Sequence, residues 1–166
     1  KVDPINKLDP GYVDPIQITP NTWNDASFFV DFDKGGQPRP FRLGAFADKS
    51  VWNPDNKEIP EPERPLVTAK SNPFSDKKWT HVAFTWERFN TDKKDGIATL
   101  YLNGKNEGSI VNWNQNFSWA GKTHRILIGL NYMGLFDDLA CFNRTLSQKE
   151  IESIYNHKKS LLGLLK

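Results

Sequence analysis

The feature that most constrains the fold of this chain is the dipeptide Asn103-Gly104, which lies between two segments of alternating apolar and polar residues. Asn-Gly readily takes positive φ at both central positions of a type I′ turn, the turn that joins adjacent antiparallel strands. Residues 98–102 and 105–110 are therefore predicted to form a β-hairpin. Residues 82–86 alternate in the same way and predict a neighbouring strand. The chain is thus expected to build an antiparallel sheet.

Similar patterns elsewhere predict further strands and one helix. The additional strands are predicted at residues 15–19, 27–32, 41–47, 66–69, 125–130 and 135–142. Ser147 and Glu150 have the spacing of a capping box, which predicts a helix from about Gln148 to about Asn156. Residues 48–65 contain too many prolines for a helix or a central strand, and they are predicted to form a long loop.

Composition limits the class of protein and its partners. A chain of 166 residues fits a single domain, and its 13% aromatic content is typical of an all-β sandwich. The 22 basic and 20 acidic residues are interspersed, which argues against nucleic acid as a partner. No apolar run approaches the length needed to span a membrane. The single cysteine, Cys141, falls in an alternating run and is expected to be a small buried residue.

Several short motifs resemble one family of domains. They are WTHVA at 79–83, LYLNG at 100–104, IG at 128–129, FDDL at 136–139, NRTLS at 143–147 and EI at 150–151. In this order they resemble the laminin-G-like domains of bacterial multidomain proteins, which belong to the concanavalin A-like lectin/glucanase superfamily. The resemblance implies an all-β jelly-roll sandwich of two antiparallel sheets with one short C-terminal helix. It also implies binding or adhesion rather than catalysis.

The resemblance sets the expected domain bounds. It assigns residues 1–158 to the sandwich and leaves residues 159–166 as a tail or linker. Similar domains open with an apolar strand before the segment that matches residues 9–18, and residues 1–8 contain no such run. The sequence is therefore expected to lack the first strand of its domain and to be part of a longer protein.

Motifs for catalysis are not found in the sequence. Concanavalin-like glucanases carry a Glu-x-Asp-x-x-Glu run, and this chain has none. The three histidines, His81, His124 and His157, have no second His or Cys at the spacing of metal ligands. No glycine-rich phosphate loop is present either. The sequence therefore predicts that the protein is not an enzyme.

Tryptophans in the predicted loops are the candidate ligand-binding residues. A flat indole can stack on the apolar face of a sugar while neighbouring polar groups bond its hydroxyls. Trp52, Trp113 and Trp119 fit this role by position, although the frequent burial of tryptophan favours the alternative in which they cover the core beneath long loops. The other three tryptophans are assigned to the core: Trp23, Trp79 and Trp86.

A calcium site is the one cofactor hypothesis. Domains of the resembled family often bind calcium, and Asp137-Asp138 is the adjacent carboxylate pair inside a family motif. Calcium prefers six to eight oxygen ligands, so loops would have to supply the rest. In the alternative, Asp137 accepts hydrogen bonds from backbone amides and Asp138 is solvated.

Two hypotheses for function follow. In the first, the domain binds glycans or mediates adhesion within a larger surface or periplasmic protein. In the second, it is a structural module that docks neighbouring protein domains and has no glycan site. Both imply an extracytoplasmic location, whether periplasmic, cell-surface or secreted.

Overall fold

The computed structural model describes residues 1–2, 11–20, 22–157 and 160–164, and it consists mainly of two antiparallel sheets. The strands are β1 (Val13–Thr19), β2 (Ser27–Phe32), β3 (Phe41–Phe46), β4 (Leu66–Thr68), β5 (Val82–Glu87), β6 (Gly96–Leu102), β7 (Lys105–Trp113) and β8 (Arg125–Leu130). The helices are α1 (Lys49–Trp52) and α2 (Gln148–Asn156), with 3₁₀ turns at Glu61–Glu63 and Leu161–Leu164. The larger sheet has the order β4-β3-β2-β1-β8 and the smaller one β5-β6-β7. This arrangement confirms the predicted all-β sandwich.

The main core lies between the two sheets. Alternate residues of β2 point into it, because side chains in a strand alternate between the two faces of the sheet. Phe28, Val30 and Phe32 are each at most 2% exposed, and Leu100 of β6 is fully buried opposite them. Burial of this many apolar side chains is the main force that holds the two sheets together.

The outer face of the larger sheet is also partly buried. Phe29 of β2 and Phe46 of β3 point away from the main core, and their rings stack at 5.7 Å between centroids. Together with Trp52 and Phe117 they form a second apolar cluster, which covers one end of this face. The rest of the face remains open and carries the site described below.

The local turn and cap predictions are confirmed. Asn103 and Gly104 have φ of 50° and 78°, as a type I′ turn requires, and they join β6 to β7. The Ser147 side chain accepts a hydrogen bond from the Glu150 backbone amide, and the Glu150 carboxylate accepts one from Ser147 N. These two reciprocal bonds form the capping box at the start of α2.

The predicted strand at residues 135–142 is wrong. Leu135 N donates a hydrogen bond to Lys1 O, and Leu135 O accepts one from the amino group of Lys1. Gly134 forms an isolated β-bridge with Val2. Beyond that point no ladder is seen within the described residues. Asp138 has φ of 49°, which lies outside the β region and breaks the strand. Cys141 is consequently exposed rather than buried, so that prediction is wrong as well.

Two loop predictions need smaller corrections. The proline-rich residues 48–65 include the short helix α1 and a 3₁₀ turn, because the prolines lie after α1 and so do not interrupt it. The sequence also predicts a second long loop at residues 112–121, but strand β7 extends to Trp113, so this loop begins after that residue. None of the helices in the described ranges is long and apolar enough to cross a membrane.

Candidate functional site

The candidate site is a pocket on the outer face of the larger sheet, beside the second apolar cluster. It is lined by residues from the β1–β4 strands and their loops: Tyr12, Asp14, Trp23, Phe29, Asp31, Arg42, Phe46, Arg64 and Leu66. Its cavity volume is about 80 Å³. This volume holds several water molecules but not a whole sugar ring, so a ligand would insert only one edge and rest on the rim.

An ion pair between neighbouring strands forms the floor. Asp31 of β2 and Arg42 of β3 are directly opposed in the sheet register. Arg42 donates from Nη2 to Asp31 Oδ2 at 2.5 Å and from Nε to Asp31 Oδ1 at 2.9 Å. Its Nη1 lies 3.1 Å from Glu61 Oε1 and 3.3 Å from Asp33 Oδ1. Burial raises the pKa of Asp31, and the bonds to Arg42 oppose that rise.

Asp14 is the unusual group of the floor. The β1–β2 register shifts between Val13 and Ile16, which places Asp14 in an irregular, bulged part of β1. Its side chain lines the pocket and the residue is 8% exposed. Among the described residues, Asp14 Oδ1 is buried and has no hydrogen-bond partner. Burial, with a smaller contribution from the nearby Asp31 carboxylate, raises the pKa of Asp14 to about 7.

Two exposed aromatic rings form the rim. Trp23 is 48% exposed and Tyr12 is 44% exposed, although both residues line the pocket. The Trp23 ring packs edge-on against Phe46 at 5.2 Å, and the guanidinium of Arg64 lies 5.7 Å from its centroid. The guanidinium of Arg42 lies 5.1 Å from the Tyr12 centroid. These cation–π contacts hold the two rings in place at the mouth.

The turn that carries Trp23 is fixed by hydrogen bonds from two other tryptophans, one at the end of α1 and one in the loop between β7 and β8. Trp52 Nε1 donates to Asn24 O at 2.8 Å, and Trp119 Nε1 donates to Ala26 O at 2.6 Å. Because these bonds anchor the backbone on the C-terminal side of Trp23, the rim is held in place before any ligand arrives.

The predicted ligand-binding tryptophans therefore lie elsewhere than expected. Trp52 is 7% exposed in the second cluster, whereas Trp113 and Trp119 are half-buried against both clusters. Trp52 and Trp113 contact each other edge to face at 6.5 Å. A ligand role for these three indoles stays a prediction, and their burial favours the alternative in which they cover the core.

The assignment of the other three tryptophans to the core is wrong. Trp23, Trp79 and Trp86 are 48%, 49% and 37% exposed. Trp23 and Trp79 lie in loops outside the strands, and Trp86 contacts the edge of the core through Phe28 at 5.5 Å and Phe84 at 6.2 Å between ring centroids. Of these three residues, Trp23 lines the pocket.

The predicted calcium ligands are separate from this pocket. Asp137 and Asp138 are both exposed. Asp138 Oδ1 accepts from Ser160 Oγ at 3.0 Å, and Oδ2 accepts from Leu161 N at 3.1 Å. Within the described ranges, no group of three or more His, Cys, Asp or Glu residues could hold a metal ion. Two adjacent carboxylates supply too few of the six to eight oxygens that calcium prefers, and the calcium site stays a prediction.

A second exposed surface is apolar and lies near the β8 edge of the larger sheet. Ile126 and Ile128 pair with Ile18 and Ile16 of β1, whose side chains pack against the main core. The β8 side chains are nevertheless exposed by 67% and 54%. Further exposed apolar residues are Leu130, Met133, Leu135, Phe136, Leu139 and Phe142. Ile126 and Ile128 lie on the same face of β8, and exposed apolar patches often mark interaction sites.

The sequence contains a weak signal for the pocket that the strand patterns alone do not reveal. Asp31 interrupts an otherwise apolar run in β2, and Arg42 interrupts another in β3. Once the β2–β3 hairpin is predicted, opposite charges at facing positions suggest a buried ion pair. Asp14 gives no such signal, because its place depends on the bulge in β1.

Comparison with known proteins identifies one match. A laminin-G-type family model, described as the concanavalin A-like lectin/glucanases superfamily, matches residues 15–152. No curated protein and no solved structure matches the chain significantly. The matched range includes every strand from β2 to β8, α2 through Glu152, and the pocket residues other than Tyr12 and Asp14.

Proposed function

The chain belongs to the concanavalin A-like lectin/glucanase superfamily, and we propose that it is a non-catalytic module that binds a carbohydrate at the pocket on the outer face of the larger sheet. The protein that carries it is proposed to be extracytoplasmic. Members of this superfamily often serve as binding modules, and the pocket supplies the groups that a sugar needs.

One observation carries this proposal. The exposed indole of Trp23 lines the same small pocket as the unpartnered carboxylate oxygen of Asp14. Sugar-binding sites combine a flat ring, which stacks on the C–H face of the sugar, with polar groups that bond its hydroxyls. Asp14 Oδ1 can accept such a bond without breaking one within the described protein. The ligand therefore gains a hydrogen bond and covers part of the exposed indole.

The geometry of the carboxylates supports binding rather than hydrolysis. Glycosidases need two carboxyl groups that act on opposite sides of the scissile bond. In this pocket both oxygens of Asp31 accept bonds from Arg42, so Asp31 is held as an ion-pair partner and is poorly placed to act as a base or nucleophile. Asp14 alone does not make a catalytic pair.

A matched pair of tryptophan variants tests the proposal. Wild type, Trp23→Ala and Trp79→Ala should be screened on a glycan array, and the strongest binder should then be measured by calorimetry. Trp79 is a matched control because it is as exposed as Trp23 and lies outside the pocket. We expect Trp23→Ala to weaken binding about tenfold or more, as loss of an aromatic contact of about 1.4 kcal/mol implies.

The Trp79→Ala control separates a loss of the pocket contact from a general effect of removing an exposed tryptophan. Trp79→Ala should bind as wild type does, and circular dichroism should show that both variants are folded. Equal binding by wild type and Trp23→Ala would refute the pocket as the site. An array without any bound glycan would refute carbohydrate binding itself.

The apolar surface near β8 favours a second candidate function, docking of a neighbouring domain of the same polypeptide. Ile128 in β8 and Leu139 in the segment that follows β8 are 54% and 63% exposed. If this surface is a docking site, the isolated domain should bind a hydrophobic dye and associate with itself at high concentration. The double variant Ile128→Ser, Leu139→Ser should abolish both effects. Unchanged dye binding and sedimentation would refute this candidate.

A further inference from the structure

We infer that Asp14 determines the ligand specificity of the pocket: its free oxygen accepts a hydrogen bond from an O–H or N–H group, so the pocket selects neutral or basic sugars over acidic ones. This inference rests on the proposed function, because it concerns the same site. It adds the chemical class of the ligand and the residue that sets this class.

Before a ligand binds, the Asp14 carboxyl group is buried and lacks one hydrogen-bond partner among the described residues. The residue is 8% exposed, and its Oδ1 has no partner in the described part of the chain. A buried polar atom without a hydrogen bond is unfavourable, and nearly all such atoms in folded proteins find a partner. Asp14 lines an open pocket, but Oδ1 itself is closed off from solvent, so a donor group of a ligand reaches it once the carboxyl group rotates toward the pocket.

Charged side chains from several elements surround Asp14. Asp31 of β2 and Arg42 of β3 face it, and both act on its ionisation. Arg42 is already paired with Asp31, with Asp33 and with Glu61 from the 3₁₀ turn. The remaining cations, Arg64 and Lys34, lie over the aromatic rings of the rim.

These charges oppose an acidic ligand at the floor. Among the described residues, the charged groups that line the pocket are the carboxyl groups of Asp14 and Asp31 and the guanidinium groups of Arg42 and Arg64. Asp33 and Glu61 add negative charge beside Arg42, and Lys34 adds positive charge beside Tyr12. The floor cation, Arg42, has each of its three nitrogens directed at a carboxylate. At the floor, a carboxylate or sulfate on the sugar would therefore meet Asp14 while every nitrogen of Arg42 is already directed at a carboxylate, which is unfavourable.

Ligand binding at Asp14 is expected to depend on pH. Burial raises the pKa of Asp14 to about 7, so the free pocket exchanges between a protonated and an ionised floor near neutral pH. A donor bonds more strongly to the ionised carboxylate than to the neutral acid. If only the ionised form binds, the apparent affinity follows the ionised fraction, which rises about thirtyfold between pH 5.5 and pH 8.5.

A purely structural role of Asp14 predicts the opposite trend. A carboxyl whose pKa is raised by burial destabilises the folded state as it ionises. Binding that depended only on the integrity of the pocket would then weaken, or stay constant, as the pH rises. The direction of the pH profile therefore separates a ligand-binding role from a structural one.

The test uses an array of neutral, amino, uronic and sulfated glycans, followed by titration of the strongest binder at pH 5.5, 7.0 and 8.5. We expect bound glycans to be neutral or basic, and the affinity of wild type to rise about thirtyfold over this range. Asp14→Asn keeps the shape of the side chain without its charge, so its profile should be flat. Asp76→Asn, a change at an exposed carboxylate outside the pocket, should keep the wild-type profile.

Each outcome can be assigned. Binding of mainly acidic glycans, or a wild-type affinity that is flat or falls with pH, would overturn the inference and leave carbohydrate binding in place. A complete lack of binding at every pH would overturn both the inference and the proposed function. Retention of the rising profile in Asp14→Asn would assign the pH dependence to another group and also overturn the inference.

Discussion

Replacing Asp14 by Asn should change the stability of the protein in a pH-dependent way that favours the variant at high pH. Burial raises the pKa of Asp14 from its ordinary value of 3.8 to about 7 in the folded protein. The folded state therefore holds this proton over a pH range in which the unfolded chain has lost it. By linkage, the stability of wild type falls as the pH rises from about 4 to about 7, and it levels off above that.

The size of the effect follows from the shift. Each unit of pKa difference corresponds to about 1.4 kcal/mol, so the full shift costs wild type about 4 kcal/mol at pH 8 but only about 1.7 kcal/mol at pH 5. Water that enters the open pocket screens part of this difference. We therefore expect the stability of Asp14→Asn relative to wild type to increase by about 1 to 3 kcal/mol between pH 5 and pH 8. The absolute difference at one pH is less informative, because Asn brings an amide of its own.

Urea denaturation followed by tryptophan fluorescence measures this quantity. Wild type, Asp14→Asn and the exposed control Asp76→Asn should be unfolded at pH 5, 6, 7 and 8. Ionisable groups that are common to wild type and variant contribute equally to both free energies of unfolding, so their contributions cancel in the difference between the two. The control should differ from wild type by less than about 0.5 kcal/mol at every pH, as most surface changes do. A difference between Asp14→Asn and wild type that is constant with pH would refute the elevated pKa and the reasoning from burial.

Three further predictions concern local structure and metal binding. Gly104→Val should destabilise the protein by more than about 1 kcal/mol, because Gly104 has φ of 78° and an added Cβ would lie 3.2 Å from Tyr155 Cδ1. An unchanged midpoint of urea denaturation would contradict the turn assignment. Ser147→Ala removes the hydroxyl that accepts from the Glu150 backbone amide and caps α2, so it should cost about 1 kcal/mol by the same assay. No loss would show that the cap contributes little. Calcium at 100 times its dissociation constant should stabilise the fold by about 2.7 kcal/mol if a site exists near Asp138, whereas superimposed thermal melts in EDTA and in millimolar calcium would exclude one.

Features that depend on neighbouring residues could be predicted from the sequence. The turn at Asn103-Gly104 and the capping box of Ser147 and Glu150 were found at the predicted places. In both cases the backbone conformation follows from the chemistry of two or three adjacent side chains. Pairing with distant segments adds to these elements but does not create them.

Features that depend on distant partners could not be predicted. The alternation in residues 135–142 is a fair strand pattern, but a strand also needs a partner along its length and β conformation at each residue. Asp138 adopts positive φ, and its two carboxylate oxygens accept hydrogen bonds from Ser160 Oγ and Leu161 N. Alternation also does not tell how loops fold, which is why the sequence left both roles of Trp52 open and assigned the exposed Trp23 to the core.

The pocket shows the same limit. Asp31 and Arg42 face each other because β2 and β3 form a hairpin, so their ion pair was within reach of the sequence. Asp14 joins them only through the bulged register of β1, and Trp23 only through a turn anchored by Trp52 and Trp119. Neither relation leaves a pattern in the sequence around it.

The most direct test of carbohydrate binding at this pocket is an NMR titration of the protein labelled with ¹⁵N at its six tryptophans. Each indole N–H gives one signal, which single Trp→Phe variants assign. As the strongest binder from the glycan array is added, the Trp23 signal should shift most, with smaller changes at Trp52 and Trp119, which anchor its turn. A largest shift at Trp113, or at Trp79 or Trp86, would place the ligand outside the pocket and contradict the proposal.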